Sequence, residues 1–427
     1  MTSYYNKTTL ANGLRIVTIT MPHTYSVGVG FYMSIGSRYE QPETAGAAHF
    51  IEHMLFKGTA RRPSPEAIAQ EIEGHGGLFN ASTSQEMTVL WAKMQHSHLT
   101  LALDVLSDML RHSLLLEAEV EKERRVILEE LISSQDIPEE LVMLALHDLT
   151  WPNHPLGWDV AGTPASVQGL SRAALLDYLQ HSYGPANTVI SVAGNVQHQQ
   201  VVDQVDSLLG DWQGAAQPAF VAAPPFPARG RLALVKKKTE QSHLALYFPG
   251  LAREHEDRFA LGLLNVILGE GMSSRLFLEI RERLGLAYVV DSSVSYLADA
   301  GVSGIYAAVA PGNAVQALRA IVQQTERLRR EPVDAATLRN AKEFIKGRLL
   351  LSLEDTLTVA GRLGRQELAG SDMLSVEDLL ARMDQVQAED MLRVAQALWQ
   401  PERACLAVVG PHKKAEASVF KAVLKGE

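Results

Sequence analysis

The chain opens on two stretches, residues 13–19 and 26–33, whose β-branched, alternating pattern predicts strands. The period then changes. His49-Phe50-Ile51-Glu52-His53-Met54-Leu55-Phe56 predicts a short, largely buried helix, preceded by small residues and closed at Lys57-Gly58-Thr59. Ser64 as cap and Pro65 in the first turn predict a second helix over 65–74. The glycine turn at Gly76-Gly77 leads into a polar strand through Leu78-Phe79-Asn80-Ala81-Ser82, and residues 88–94 form another strand. Leu99, Leu103, Leu106 and Leu110 recur near helical period over 98–112. A long, charge-rich helix begins near Leu116 and runs through Ile132, with Glu123, Ile127 and Glu130 at i, i+4 and i+7 on one stripe. Strand 188–195 closes this first half.

From residue 231 the order repeats. Residues 232–235 and 242–250 echo the opening strands, 259–268 the short helix, 284–289 the glycine turn, 314–329 the helix from His98, and 405–410 the closing strand. Between the two copies, residues 214–230 hold Pro218, Pro224, Pro225 and Pro227 among alanines and read as a linker. The fold class is α+β: two similar halves, 1–213 and 231–427, each an antiparallel sheet packed with helices. The second copy carries Asn265 and Ile267 where the first has its short helix, and no histidine pair.

Length supports this division, because 427 residues exceed one typical core. Apolar content of 46% with 21% charged residues is that of a globular chain, and no apolar run reaches membrane-spanning length. The N-terminal residues lack the basic and apolar regions of a signal peptide. A net charge of −10 argues against nucleic acid as partner and favours basic or neutral substrates. One cysteine, Cys405, excludes a disulfide framework and a cysteine zinc site, and its apolar setting makes it a small core residue. These features together point to the cytoplasm.

The chemistry lies on the short helix. At ~100° per residue, His49 and His53 stand ~40° apart on one face, a spacing at which two imidazoles share a metal. Glu52 falls ~60° from His49, where its carboxylate reaches a water at that metal without being a ligand. This is the H-x-x-E-H order. All three polar groups sit in apolar sequence and need partners, which a metal supplies. Two histidines leave zinc one protein ligand short, and the stripe on the long helix offers Glu130. His75, His96, His147 and His243 have no partner at ligand spacing in the sequence and read as surface or satisfied core groups.

On these residues the chain resembles the inverzincin metallopeptidases, the family of pitrilysin, insulin-degrading enzyme and the mitochondrial processing peptidase. The resemblance spans nearly the whole chain and rests on residues 49–59, on Glu130 within Val126-Ile127-Leu128-Glu129-Glu130, and on Arg281 with Tyr288. One domain pair is the length of the processing-peptidase branch. The resemblance implies a clamshell enclosing a chamber, one Zn2+ per chain on His49, His53 and Glu130, and Glu52 as general base. Glu123 would hydrogen-bond a ligand histidine. Glu129 is the rival third ligand and points ~100° away from Glu130. Arg281 and Tyr288 would hold substrate near the scissile carbonyl. Gly269 to Leu276 resembles a glycine-rich loop of the processing peptidase, and a plain turn fits the same residues.

The implied activity is a zinc endopeptidase acting on peptides or unfolded segments. Zinc acidifies water, Glu52 takes the proton and later passes it to the leaving amine, and Tyr288 with Arg281 stabilises the oxyanion. Substrate would add as a strand to Asn80, Ala81 and Ser82. The resemblance also implies pairing, as a homodimer or with a related subunit. Two rival readings are a non-catalytic core subunit and one half of a heterodimeric processing peptidase. The intact set His49, Glu52, His53 and Glu130 favours the enzyme.

Overall fold

The computed structural model describes residues 5–214, 219–370 and 373–426. Part of the expected linker, residues 215–218, lies outside the described residues. Chain contacts divide the molecule into two compact units.

The first unit is built on a six-stranded sheet: β1 (Asn6–Thr9), β2 (Arg15–Thr20), β3 (Ser26–Met33), β4 (Leu78–Thr83), β5 (Thr88–Gln95) and β6 (Thr188–Gly194). Their order is β1-β2-β6-β3-β5-β4. Side chains alternate across this sheet. Ile16, Phe31, Leu90 and Ile190 enter one core, whereas their neighbours Val17, Tyr32, Val89 and Val189 enter another on the opposite face. The first core is closed by the helices α1 (Ala47–Leu55), α2 (Pro65–Glu73) and α3 (Leu99–His112) and by the first part of α4 (Glu117–Asp136). The second is closed by the helix Thr356–Leu368 through Leu363 and Leu368. Gly28 makes that contact possible: a Cβ there would lie 2.6 Å from the Leu357 Cα.

The second unit has five strands, β7 (Leu232–Lys236), β8 (Ser242–Pro249), β9 (Ala287–Tyr296), β10 (Gly301–Val309) and β11 (Cys405–Gly410), in the order β7-β11-β8-β10-β9. One face buries Leu244, Leu246, Phe248, Leu406 and Val408 against the helices Arg258–Gly269 and Ala314–Arg330. The other buries Ala245, Tyr247, Cys405 and Ala407 against Val142 and Leu146 of α5 (Pro138–Thr150).

The expected repeat is present, and it takes in β10, which the sequence pattern did not single out, while among the described residues β1 has no counterpart in the second sheet. β2, β6, β3, β5 and β4 correspond to β7, β11, β8, β10 and β9. The expectation of antiparallel sheets needs one correction, because β2–β6 and β7–β11 are parallel pairs. Each links a strand early in its half with the last strand of that half, so the long connection permits either direction.

The compact units also differ from the contiguous halves 1–213 and 231–427. The first comprises Met1–Leu131, Asp159–Val221 and Leu350–Ser375; the second comprises Ile132–Trp158, Ala222–Leu349 and Val376–Glu427. α5 thus covers the sheet of the second copy, and the helix Thr356–Leu368 that of the first. An amphipathic helix shows which face is buried and not which sheet it covers. The described part of 214–230 has no regular element, yet it is held. Phe220 stacks under the Arg38 guanidinium, 4.0 Å away, and the Ala223 N–H donates to Asp299. Among the described residues no helix is long and apolar enough to cross a membrane.

Candidate metal centre

α1 is held by its buried residues Phe50, Ile51, Met54 and Leu55, which leaves His49, Glu52 and His53 on its partly open face. Its first turn is fixed from outside the helix. Glu40, 1% exposed, accepts the N–H groups of Gly46 and Ala48 at 2.8 Å each, on donors that a helix start leaves unpaired. Burial pushes the Glu40 carboxyl up to about 7, against the pull of those two bonds. Gly46 is left-handed (φ +90°), and a Cβ there would sit 2.4 Å from the Ala161 carbonyl oxygen.

α4 presents its stripe as the spacing predicts. Glu123 and Ile127 are buried, and Glu130 reaches the two histidines. The His49 and His53 rings lie 4.6 Å apart, centre to centre. Their Nε2 atoms stand 4.0 Å and 3.6 Å from Glu130 Oε2. One donor atom from each of the three residues falls within a 4.8 Å span, and Glu129 is not part of that cluster. Two imidazoles and a carboxylate converging on one point suit zinc in donor type and number. The electrostatics agree. Burial, then the neighbouring His53, holds the His49 imidazole down to about 4, so it is neutral and able to ligate at neutral pH.

His53 is oriented by Glu123, only 4% exposed, whose Oε2 accepts from His53 Nδ1 at 3.2 Å. A carboxylate only accepts, so the proton sits on Nδ1 and the Nε2 lone pair faces Glu130. The other oxygen of Glu123 is paired with Lys57 Nζ at 2.7 Å. Lys57 is a site residue that the sequence reading missed. Its signal was its place just beyond the helix, within reach of the same stripe.

Glu52 stands apart from the ligand set. Burial raises its pKa, against hydrogen bonds from the Thr83 hydroxyl and N–H, the charge of His53 lowers it, and Glu130 raises it. Among the described residues its Oε2 is buried without a hydrogen-bond partner, as is His49 Nδ1. Such an orphaned oxygen is costly unless a ligand uses it. Thr83 ends β4, so the edge strand and the base meet at this point. Of the residues expected to take substrate, Asn80, Ala81 and Ser82 lie on β4, which among the described residues pairs with β5 alone and stands at the edge of the sheet. The Ala81 N–H donates to the Asn80 side-chain oxygen at 2.9 Å.

Arg281 and Tyr288 come together in the second unit. Arg281 lies on the π-helical turn Phe277–Arg283 and Tyr288 at the start of β9. The guanidinium sits between the Phe277 and Tyr288 rings, 4.8 Å and 4.6 Å from their centres, and donates to the Tyr288 carbonyl at 3.2 Å. The Tyr288 side chain stays open, at 73% exposure. At the place of α1 the second sheet has the helix Arg258–Gly269, where Asn265 accepts from the Ser292 hydroxyl at 2.8 Å and donates to Glu270 at 3.2 Å. His147 and His243 bond to the Tyr247 and Tyr306 hydroxyls at 2.8 Å and 2.7 Å, as satisfied groups.

The family model described as Insulinase (Peptidase family M16) matches residues 15–164, and the one described as Peptidase M16 inactive domain matches 169–345. An uncharacterized zinc protease of Streptomyces coelicolor is 38% identical over 418 residues, covering 96% of this chain and 91% of that one. Another, of Bacillus subtilis, is 37% identical over 404 residues, covering 94% and 97%. Among solved structures, a protease from Helicobacter pylori superposes with a TM-score of 0.89 at 26% identity, covering 95% of this chain and 99% of that one.

Proposed function

The chain belongs to the insulinase family, peptidase family M16, and on that premise we propose that it is a zinc endopeptidase for peptides and unfolded segments. The observation that carries this reading is the convergence of His49, His53 and Glu130 beside the unpartnered buried oxygen of Glu52.

His49 and His53, through Nε2, and Glu130, through a carboxylate oxygen, would hold the ion, one per chain. When bound, zinc supplies Lewis acidity, which lowers the pKa of water and polarises a peptide carbonyl. Glu52 is the base. Its raised pKa makes it the stronger proton acceptor, and Oε2 takes the proton from the attacking water and returns it to the leaving nitrogen. Lys57 and Glu123 keep the His53 proton on Nδ1. The peptide adds as a strand along β4 through backbone bonds that tolerate many sequences, displacing the Asn80 side chain from the Ala81 N–H. Arg281 fixes the Tyr288 ring, and the Tyr288 hydroxyl donates to the developing oxyanion, with catalysis in a chamber formed by both halves. Pairing with a second copy or a related subunit, and action in the cytoplasm, belong to the same proposal. A purely structural role is disfavoured by the intact ligand set and base.

The test is Glu52→Gln in the full chain, with zinc content and peptide hydrolysis measured on the same samples. Retained zinc with hydrolysis reduced ~10²–10⁴-fold is expected. Wild-type turnover at matched zinc would remove Glu52 as base.

A further inference from the structure

A second pair of imidazoles stands elsewhere in the first unit, and its members are distant in sequence. His75 lies in the turn that ends α2, and His98 closes the 3-10 turn His96–His98 just before α3. Their ring centres are 4.7 Å apart with planes at 62°. The values for His49 and His53 are 4.6 Å and 64°. The two pairs therefore match in ring separation and interplanar angle, although only the first sits on a single helix. The sequence reading left His75 without a partner because sequence spacing shows only pairs on one element.

We propose that His75 and His98 form a second, weaker site for a borderline divalent transition metal such as Ni2+, Zn2+ or Cu2+. His75 is prepared for it. Its Nδ1 lies 2.8 Å from the Glu71 carbonyl oxygen, which can only accept. The proton is therefore on Nδ1 and the Nε2 lone pair is free, the same tautomer selection that Glu123 imposes on His53.

Both backbones are anchored. The His75 and Gly77 N–H groups donate to Ile72 O at 3.2 Å and 2.9 Å, and Gly76, at φ +73°, turns the chain toward β4. His98 stands at the cap position of α3, and α2 packs on α3. The C-terminal end of α2 favours a cation and the N-terminal end of α3 opposes one, so the two dipoles offset and the imidazoles decide. Two neutral nitrogens select zinc, nickel or copper over magnesium or calcium. Among the described residues the only three-residue donor cluster is His49, His53 and Glu130. The second site is therefore completed by water and exchanges readily. Its location gives it a consequence. A bound ion ties the turn feeding β4 to the start of α3 and stiffens the edge on which substrate is proposed to pair.

The experiment uses the full chain, equilibrated with zinc and desalted so that only tightly held metal remains, then titrated with Ni2+ by calorimetry. Wild type is expected to take up one further equivalent. His75→Ala and His98→Ala should each abolish that uptake, and His181→Ala, at an exposed histidine outside the pair, should leave it intact. No uptake by wild type, or uptake that survives in either pair variant, would overturn the site and leave the rings as a stacked pair only. The zinc retained before titration is read separately, so the tight centre and this site stand or fall independently.

Discussion

α1 and the helix Arg258–Gly269 occupy corresponding places in two sheets of the same strand order, and they have been put to different uses. In the first, polar groups face one another without full pairing: His49 Nδ1 and Glu52 Oε2 are buried and unpartnered. In the second, Asn265 is bonded on both sides, to Ser292 and Glu270. Folding alone favours the second arrangement, since a buried polar atom without a partner costs ~1–3 kcal/mol. The Glu52 oxygen therefore carries a local cost that a bound water or substrate would offset, whereas at the corresponding helix of the second unit the polar side chain is satisfied within the fold.

The sharpest way to break this contrast is to remove the one group by which the second unit is proposed to act in catalysis. Tyr288→Phe should lower kcat ~10²–10³-fold with zinc content and thermal midpoint unchanged, because loss of one oxyanion donor costs that much. Wild-type kcat would make the second unit a scaffold throughout.

A next test compares how the two units use histidine. Burial holds His147 down to about 4, so above pH ~6.5 it is neutral in both folded and unfolded chains. As pH falls from ~6.5 to ~4, only the unfolded chain takes up the proton, and stability falls by roughly 2–3 kcal/mol. Denaturant unfolding across this range should show that loss, and His147→Gln should flatten it. An equal acid slope in both proteins would place the effect on another group.

A smaller effect is expected from the support of His53. Lys57→Met and Glu123→Gln should each weaken zinc affinity ~10–100-fold in chelator competition, the usual range for groups behind a ligand histidine. Lys57→Arg should keep most of it. Unchanged affinity in both would reduce the Lys57–Glu123–His53 chain to packing.

How much of this was legible in the sequence follows from the range of each interaction. The His49, Glu52 and His53 face depends only on helical period and is found where that period puts it. So is the stripe that aligns Glu123, Ile127 and Glu130, which is set within α4; that Glu130 meets the histidines is a contact between two elements, indicated by the family resemblance and not by the period. Residues 232–235, 242–250 and 405–410 of the second copy were readable as strands because each is a short apolar run, whereas β10 was not singled out. What could not be read was non-local. Nothing in α5 or in the helix Thr356–Leu368 tells which sheet it covers, so the exchange between copies was invisible, as were the parallel pairs β2–β6 and β7–β11. The ion pair of Lys57 with Glu123 and the facing rings of His75 and His98 join elements distant in sequence. The short edge strand β1, with little buried surface, left no apolar pattern to find.

The central claim is that the first unit alone holds the tight metal, on His49, His53 and Glu130. Its most direct test is zinc retained per chain after mild chelation in wild type, Glu130→Gln and Glu129→Gln. The account predicts a full equivalent in wild type and in Glu129→Gln, and little in Glu130→Gln. Equal retention in all three, or loss in Glu129→Gln alone, would contradict it.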